Sequence, residues 1–578
     1  MKTGVRVFRG LAGIVALMSA ETRFGAGRRA LCFILTGIFT ALMFWSRTVF
    51  AAPVILTDQG PMRGLAVSGE NEYLGIPYAA PPVGSLRWLP PQAPSRFKGV
   101  FQATQFGNAC TQPKAMGLVR TGGAFGSEDC LTLNVYVPNV TPPAHGFPVM
   151  VWIHGGGLVF GAGSFYDPTP LVKKGSVIVV TINYRLGLLG FFAHPALDAE
   201  GHLKANYGLM DQQFALNWVR RNIGALGGDH KRVTIFGESA GGESVFSNIA
   251  SPTAAGLFDR AISQSGAEVE FQDYLDPLSI VPLATAETVG SFFVPAGTIL
   301  AAAVGCGSQT AECLRATSAS TLVAAEPGAV LPIVDGTVLT QTLDSAFASG
   351  EFNRVPIITG TTHDEGRLLV ALLYDLSGNP LTDAQYPDAV AAFFGQPVSN
   401  PFVQFLANVE YPLSNYPPPP GYSVSAPLAL GALFGDILYV CTARKADLSL
   451  SRYVPTYTYE FNDETAPSFS PYLPAPLPPL NFPLGDAHSI QLEYLFDLSA
   501  FGITPTFTGD QEQLSDTMIG YLTQFAKRAN PNSEGAPNWP VYSGAGGQFE
   551  SLVAPTPTTE LDSSFDTDHK CSSFWDTF

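Results

Sequence analysis

Residues 234–244 read TIFGESAGGES, an apolar β-branched run that passes into a Gly-x-Ser-x-Gly pentad and continues in small residues. A serine hydroxyl is a weak nucleophile until a base takes its proton, and it must also protrude where a substrate can reach it. A strand-to-helix turn with glycine on both sides meets the second need: Gly237 and Gly241 leave room for a strained backbone at Ser239. The pentad by itself also suits an ordinary helix-starting turn. The strand-like run from Val233 to Phe236 and the small residues after Ser239 favour the nucleophile.

A second cluster, His154-Gly155-Gly156-Gly157, closes the apolar run VMVWI about eighty residues before the serine. Acyl transfer develops negative charge on a carbonyl oxygen, and backbone N–H groups free of side-chain obstruction can stabilise it. Three glycines after a buried strand fit the oxyanion loop of α/β-hydrolases, with the amides of Gly156, Gly157 and Ala240 as donors. In that fold the nucleophile is followed by the acid and then by the histidine, which leaves His363, His488 and His569 as candidate bases. His569 sits beside Cys571 at the extreme C-terminus, and His363 lies only two residues before the likeliest acid. His488, in the turn-like GDAHSIQ that follows a long loop, is therefore the expected base. Asp364 and Glu365 both follow the strand-like VPIITG and either could hold the imidazole tautomer.

These residues need a rigid frame. Strand-length apolar runs such as PVMVWIHGGG (148–157), VIVVTINYR (177–185) and RVTIFG (232–237) alternate with helical spacing such as DQQFALNWVRRNI (211–223). That rhythm predicts an α/β fold, a large, mostly parallel central sheet flanked by helices, with chemistry at the strand ends. No repeat and no linker divides residues 52–578, which are expected to form a single domain. Two proline-rich stretches, 411–422 and 466–485, suit ordered surface loops, and the second leads into GDAHSIQ as a wall of the site entrance.

Composition excludes other classes. With 46% apolar and 14% charged residues the chain can bury a large core, so it is not disordered. Arg28-Arg29 precede sixteen uncharged residues, Ala30 to Trp45, followed by Arg47 and then VFAAP, with small residues at Val49 and Ala51. This pattern predicts a signal peptide over residues 1–51, cleaved after Ala51, and hence a secreted or periplasmic protein. Met18 is an alternative start, and the apolar run is shorter than the roughly 20 residues of a membrane span. No stable membrane anchor is expected after cleavage. Losing residues 1–51, with seven Lys/Arg and one Glu, takes the formal charge from −17 to −23, which disfavours nucleic acid as a partner. Six cysteines remain, at 110, 130, 306, 313, 441 and 571; an even number in an exported chain predicts three disulfides. No CxxC and no HExxH occurs, so no metal site is expected.

Nearly the whole mature chain resembles the type-B carboxylesterases, the cholinesterase and carboxylesterase family. The matching segments include YLGIPYAAPPVGSLRW (73–88), SEDCLTLNVYVP (127–138), VWIHGGG (151–157), NYRLGLLGF (183–191) and VTIFGESAGG (233–242). AISQSG (261–266), VLPIVDG (330–336), HDEG (363–366), GDAH (485–488) and FWDTF (574–578) continue the match in order. The resemblance implies Glu365 as the acid of a triad with Ser239 and His488. It implies Glu238 as a buried carboxylate tuning the site and Ser265 as a hydrogen-bond partner of the His–Glu pair. It also implies an Arg87–Glu128 ion pair and the disulfides Cys110–Cys130, Cys306–Cys313 and Cys441–Cys571.

The chain departs from the family in three places. The HGxE that commonly starts at the catalytic histidine reads His488-Ser489-Ile490-Gln491, so a glutamine stands for the glutamate. The loop between Cys110 and Cys130 lacks the tryptophan on which cholinesterases stack a choline ammonium, which argues against that activity. The stretch Pro327-Gly328-Ala329-Val330 carries no aromatic where cholinesterases narrow the acyl site, so Gly328 and Ala329 imply a roomy acyl pocket.

The expected function is a secreted serine hydrolase that cleaves small-molecule carboxylic esters through an acyl-enzyme, without metal or organic cofactor. Lipid, amide, carbamate or polyester substrates would use the same triad. A non-catalytic recognition protein on this fold is disfavoured, because serine, histidine, acid and oxyanion glycines are all present.

Overall fold

The computed structural model describes residues 50–116, 119–266, 282–288, 296–326, 329–467 and 478–577. Almost all of the expected signal peptide, Pro327 and Gly328 of the expected acyl pocket, and residues 468–477 of the second proline-rich loop lie outside them. Ala51–Phe578 form one compact unit.

Its frame is a sheet of thirteen strands among the described residues. Twelve of them run in chain order as β1 (Phe50–Thr57), β2 (Gly60–Val67), β3 (Glu70–Pro77), β4 (Thr132–Pro138), β5 (Phe147–Ile153), β6 (Ile178–Ile182), β7 (Gly228–Glu238), β8 (Arg260–Gln264), β9 (Ile357–Thr362), β10 (Thr456–Phe461), β11 (Gln548–Leu552) and β12 (Thr558–Leu561). Across the sheet they lie in the order β1-β2-β3-β4-β6-β5-β7-β8-β9-β10-β11-β12, and the short Phe101–Gln102 pairs with β2. From β6 to β11 every neighbouring pair is parallel; the β2–β3, β3–β4, β4–β6 and β11–β12 pairs are antiparallel.

The helices that matter here are α1 (Tyr207–Asn222), α2 (Ala240–Ala250), α3 (Ala426–Gly435), α4 (Cys441–Leu450), α5 (Gly509–Arg528) and α6 (Asp562–His569). Alternation along the central strands feeds two cores. Val149, Val151, Ile153, Val233 and Ile235 pack with Leu216 and Trp218 of α1 and Val245 and Phe246 of α2. Met150, Trp152, Phe236 and Ile262 pack on the other side with Leu514, Met518 and Phe525 of α5. Cover on both faces is why these strands read as unbroken apolar runs.

A π-helical turn, Asp436–Val440, joins α3 to α4. The resulting helical stretch Ala426–Leu450 is the one described stretch long and apolar enough to cross a membrane. Of its most apolar window, 83% is buried inside the protein, as in a core helix. Cys110–Cys130, Cys306–Cys313 and Cys441–Cys571 are bonded. Arg87 grips Glu128 through two hydrogen bonds of 2.7 and 2.6 Å.

Candidate active site

β7 ends at Glu238 and α2 begins at Ala240, so Ser239 occupies the turn between them with φ 57° and ψ −128°. A side chain rarely tolerates that conformation, and it persists only where the surroundings enforce it. The flanking glycines show how closely the turn is packed. A Cβ on Gly237 would lie 2.4 Å from the Gly241 carbonyl oxygen, and one on Gly241 would lie 2.1 Å from the Ile153 oxygen. One on Gly242 would lie 2.6 Å from the Gln264 oxygen, which itself accepts the Ser239 N–H at 2.9 Å. The ends of β5, β7 and β8 are thus drawn together beneath the serine. Ser239 Oγ makes no hydrogen bond to a described residue.

The loop after β5 turns at Gly156, whose φ of +106° would put a Cβ 2.3 Å from the Phe160 carbonyl oxygen. Val159 and Phe160 both donate to the Gly156 carbonyl, at 3.1 and 3.0 Å. The amides of Gly156, Gly157 and Ala240 donate to no described residue. Val330 donates to the Gly157 carbonyl at 3.0 Å, which brings the stretch containing half-buried Ala329 against this loop. His154 belongs to the scaffold: its ring stacks on Tyr184 at 4.5 Å, and burial pushes its pKa down to about 4.

Glu365, in the turn after β9, is fully buried and accepts the Thr362 N–H on Oε1 at 2.8 Å. Its Oε2 lies 2.5 Å from Nδ1 of buried His488. Asp364 points away, to Arg367 at 2.6 Å. The turn is seated closely on α3, since a Cβ on Gly366 would lie 2.1 Å from the Gly431 oxygen. On the other side of the imidazole, Glu238 Oε1 lies 3.3 Å from His488 Nε2. Burial alone would lower the His488 pKa, but the Glu238 and Glu365 carboxylates and the hydrogen bond to Glu365 outweigh it and raise it.

Of the residues singled out in the sequence, Glu238, Glu365 and His488 meet directly, and Ser239 is the next residue after Glu238. Ser265 departs from expectation. It is fully buried with φ 47° and donates its N–H to Gly360 at 2.7 Å, but its Oγ makes no hydrogen bond among the described residues. The expected bond to the His–Glu pair is therefore not formed. Gln491 is buried and faces the Tyr459 phenol. His569 lies elsewhere, with Nδ1 2.8 Å from Asp436 and Nε2 2.6 Å from Glu460. Burial opposes its charge, but those carboxylates raise its pKa to about 10. Sequence reasoning missed Tyr439, whose ring lies 4.6 Å from that of His488. It stands in the π-helical turn, and no local spacing marks it.

A mostly parallel sheet wrapped by helices, with a strained serine at the end of a central strand, defines the α/β-hydrolase class. The carboxylesterase family model matches residues 51–566, and the chain belongs to that family. It is 33% identical over 539 residues to human cocaine esterase, covering 89% of this chain and 90% of that protein. It is 34% identical over 500 residues to the para-nitrobenzyl esterase of Bacillus subtilis (strain 168), covering 85% and 92%. A solved thermophilic PNB esterase superposes with a TM-score of 0.70 at 30% identity, covering 90% of this chain and 99% of that one. The protein is a carboxylic ester hydrolase.

Proposed function

We propose that hydrolysis proceeds through an acyl-enzyme on Ser239, with His488 as base, Glu365 as the orienting acid, and Gly156, Gly157 and Ala240 as the oxyanion hole. The observation that carries this reading is the buried 2.5 Å contact between His488 Nδ1 and Glu365 Oε2 beside the strained serine turn. His488 Nε2 takes the Ser239 proton as Oγ attacks the ester carbonyl, and the three amides receive the developing oxyanion. Collapse breaks the bond to the alcohol, which leaves with the proton returned by His488. Water, deprotonated by the same nitrogen, then attacks the acyl-enzyme, and collapse releases the acid and restores Ser239. Three amides that donate to no described residue support the oxyanion role.

The substrates in this reading are small carboxylic esters with an acyl group larger than acetyl. Export of the chain beginning at Ala52 is supported by the apolar segment between Arg29 and Arg47 and by the three disulfides. Organophosphate labelling mapped to a single serine, beside a Ser239→Ala control, tests the central assignment.

A further inference from the structure

The segments carrying Glu365 and His488 meet a second time, just before the acid and just before the base. Asp364 and Ala487 form an isolated parallel β-bridge. Asp364, Asp486 and His363 each bring a side-chain ligand atom to within 4.8 Å of the others. Asp486 is fully buried, and among the described residues no N–H or O–H donates to either of its oxygens. Asp364 has Arg367 Nη1 2.6 Å from Oδ2 and His363 Nδ1 3.3 Å from Oδ1. Gly485 closes over the pair: a Cβ there would lie 2.2 Å from Asp364 Oδ2 and 2.5 Å from Arg367 Nη1.

Two carboxyl groups this close in buried surroundings cannot both ionise. The guanidinium claims Asp364, which leaves Asp486 to keep a proton. We propose that Asp486 is a positioning residue: protonated, it donates to Asp364 and latches the two segments so that His488 Nδ1 stays on Glu365, and its ionisation in alkali opens the latch. The proposal rests on the triad reading given above.

The surrounding charges agree with it. Burial and neighbouring Asp364 push Asp486 well above the usual carboxylate range, Glu460 adds to this, and only Arg367 opposes it. Burial would raise Asp364 too, but Arg367 and His363 hold it low. Among the described residues, the other groups that face the pair are Tyr494, and His569 behind His363 at 5.0 Å between rings. Because the folded pKa of Asp486 is raised, the latch is closed at neutral pH and lost as pH rises through that value.

The test is the pH dependence of kcat and KM for wild type, Asp486→Asn and Asp486→Ala, with near-UV circular dichroism at each pH to separate latch opening from unfolding. An amide donates to Asp364 at every pH. D486N should therefore stay within about tenfold of wild type at neutral pH and lose the alkaline fall in kcat, whereas D486A should lose about 10–100-fold in kcat with little change in KM. If D486N does not fold, Asp364→Asn places the amide on the other side of the pair and should also abolish the alkaline fall. A variant profile coincident with wild type overturns the proposal. So does stoichiometric divalent metal in the purified enzyme that EDTA removes together with activity, since a cation would then bridge the carboxylates. Failure of the triad reading is distinguishable, as an unlabelled Ser239 or an active Ser239→Ala enzyme.

Discussion

Glu365 Oε2 and His488 Nδ1 meet at 2.5 Å in a fully buried contact, while the Thr362 N–H holds the other oxygen of Glu365 at 2.8 Å. Glu365 is thus held within its own turn by the Thr362 amide, and its remaining oxygen favours a proton on Nδ1. That leaves Nε2 as the basic nitrogen, the tautomer that a serine nucleophile needs.

Glu365→Gln should leave the fold intact and cut kcat by about 10⁴-fold. The glutamine carbonyl would accept from Thr362 and turn its amide donors toward Nδ1, which selects the wrong tautomer. Steady-state kinetics on the folded variant checks this; a loss below about tenfold would contradict it.

The acid limb of kcat/KM should lie above the pH expected for an isolated histidine. The carboxylates of Glu238 and Glu365 raise the His488 pKa, and only the neutral imidazole can act as base. Activity is therefore lost as pH falls through the raised value. Glu238→Gln removes the charge 3.3 Å from Nε2 and should move the midpoint to lower pH. A midpoint that does not move would show that Glu238 does not set the base's pKa.

The strained turn at Ser239 and the glycine loop at Gly156 and Gly157 were legible in the sequence because the physics that shapes them is local: each needs particular residues at adjacent positions. The choice between Asp364 and Glu365 was not legible locally, since both follow the same strand and only the Thr362 amide and the Arg367 guanidinium separate their roles. Asp486 was in view in GDAH, but its significance depends on Asp364, which the fold brings beside it. Tyr439 gave no signal, because what aims it at His488 is a π-helical turn in a stretch that is apolar and buried for most of its length. The bond expected of Ser265 failed because family likeness transfers a residue type and not the path of its hydroxyl.

Backbone crowding at the serine turn can be measured against a neutral glycine. Gly241→Ala forces a Cβ to 2.1 Å from the Ile153 oxygen, whereas Gly520 in α5 has nothing within 4 Å of its virtual Cβ. Gly241→Ala should cost at least about 3 kcal/mol and most of the activity. Gly520→Ala should stabilise by about 0.5–1 kcal/mol. Chemical denaturation of both variants checks the pair; equal effects would contradict the packing argument.

Acyl-chain preference tests the roomy pocket expected around Gly328 and Ala329. Each buried methylene contributes up to about 0.8 kcal/mol, so kcat/KM should rise from acetyl to butyryl esters until the pocket is full. Gly328→Phe should depress the longer esters and largely spare acetyl. A steep acetyl preference in the wild-type enzyme would show that another segment fills the space.

The most direct measurement is covalent labelling. Wild-type enzyme treated with an organophosphate should carry one adduct, on Ser239 by peptide mass mapping, with activity lost in step with labelling. Ser239→Ala should fold, take no adduct, and fall by about 10⁶-fold in kcat. An adduct on any other residue, or ester turnover by Ser239→Ala close to the wild-type rate, would contradict the assignment.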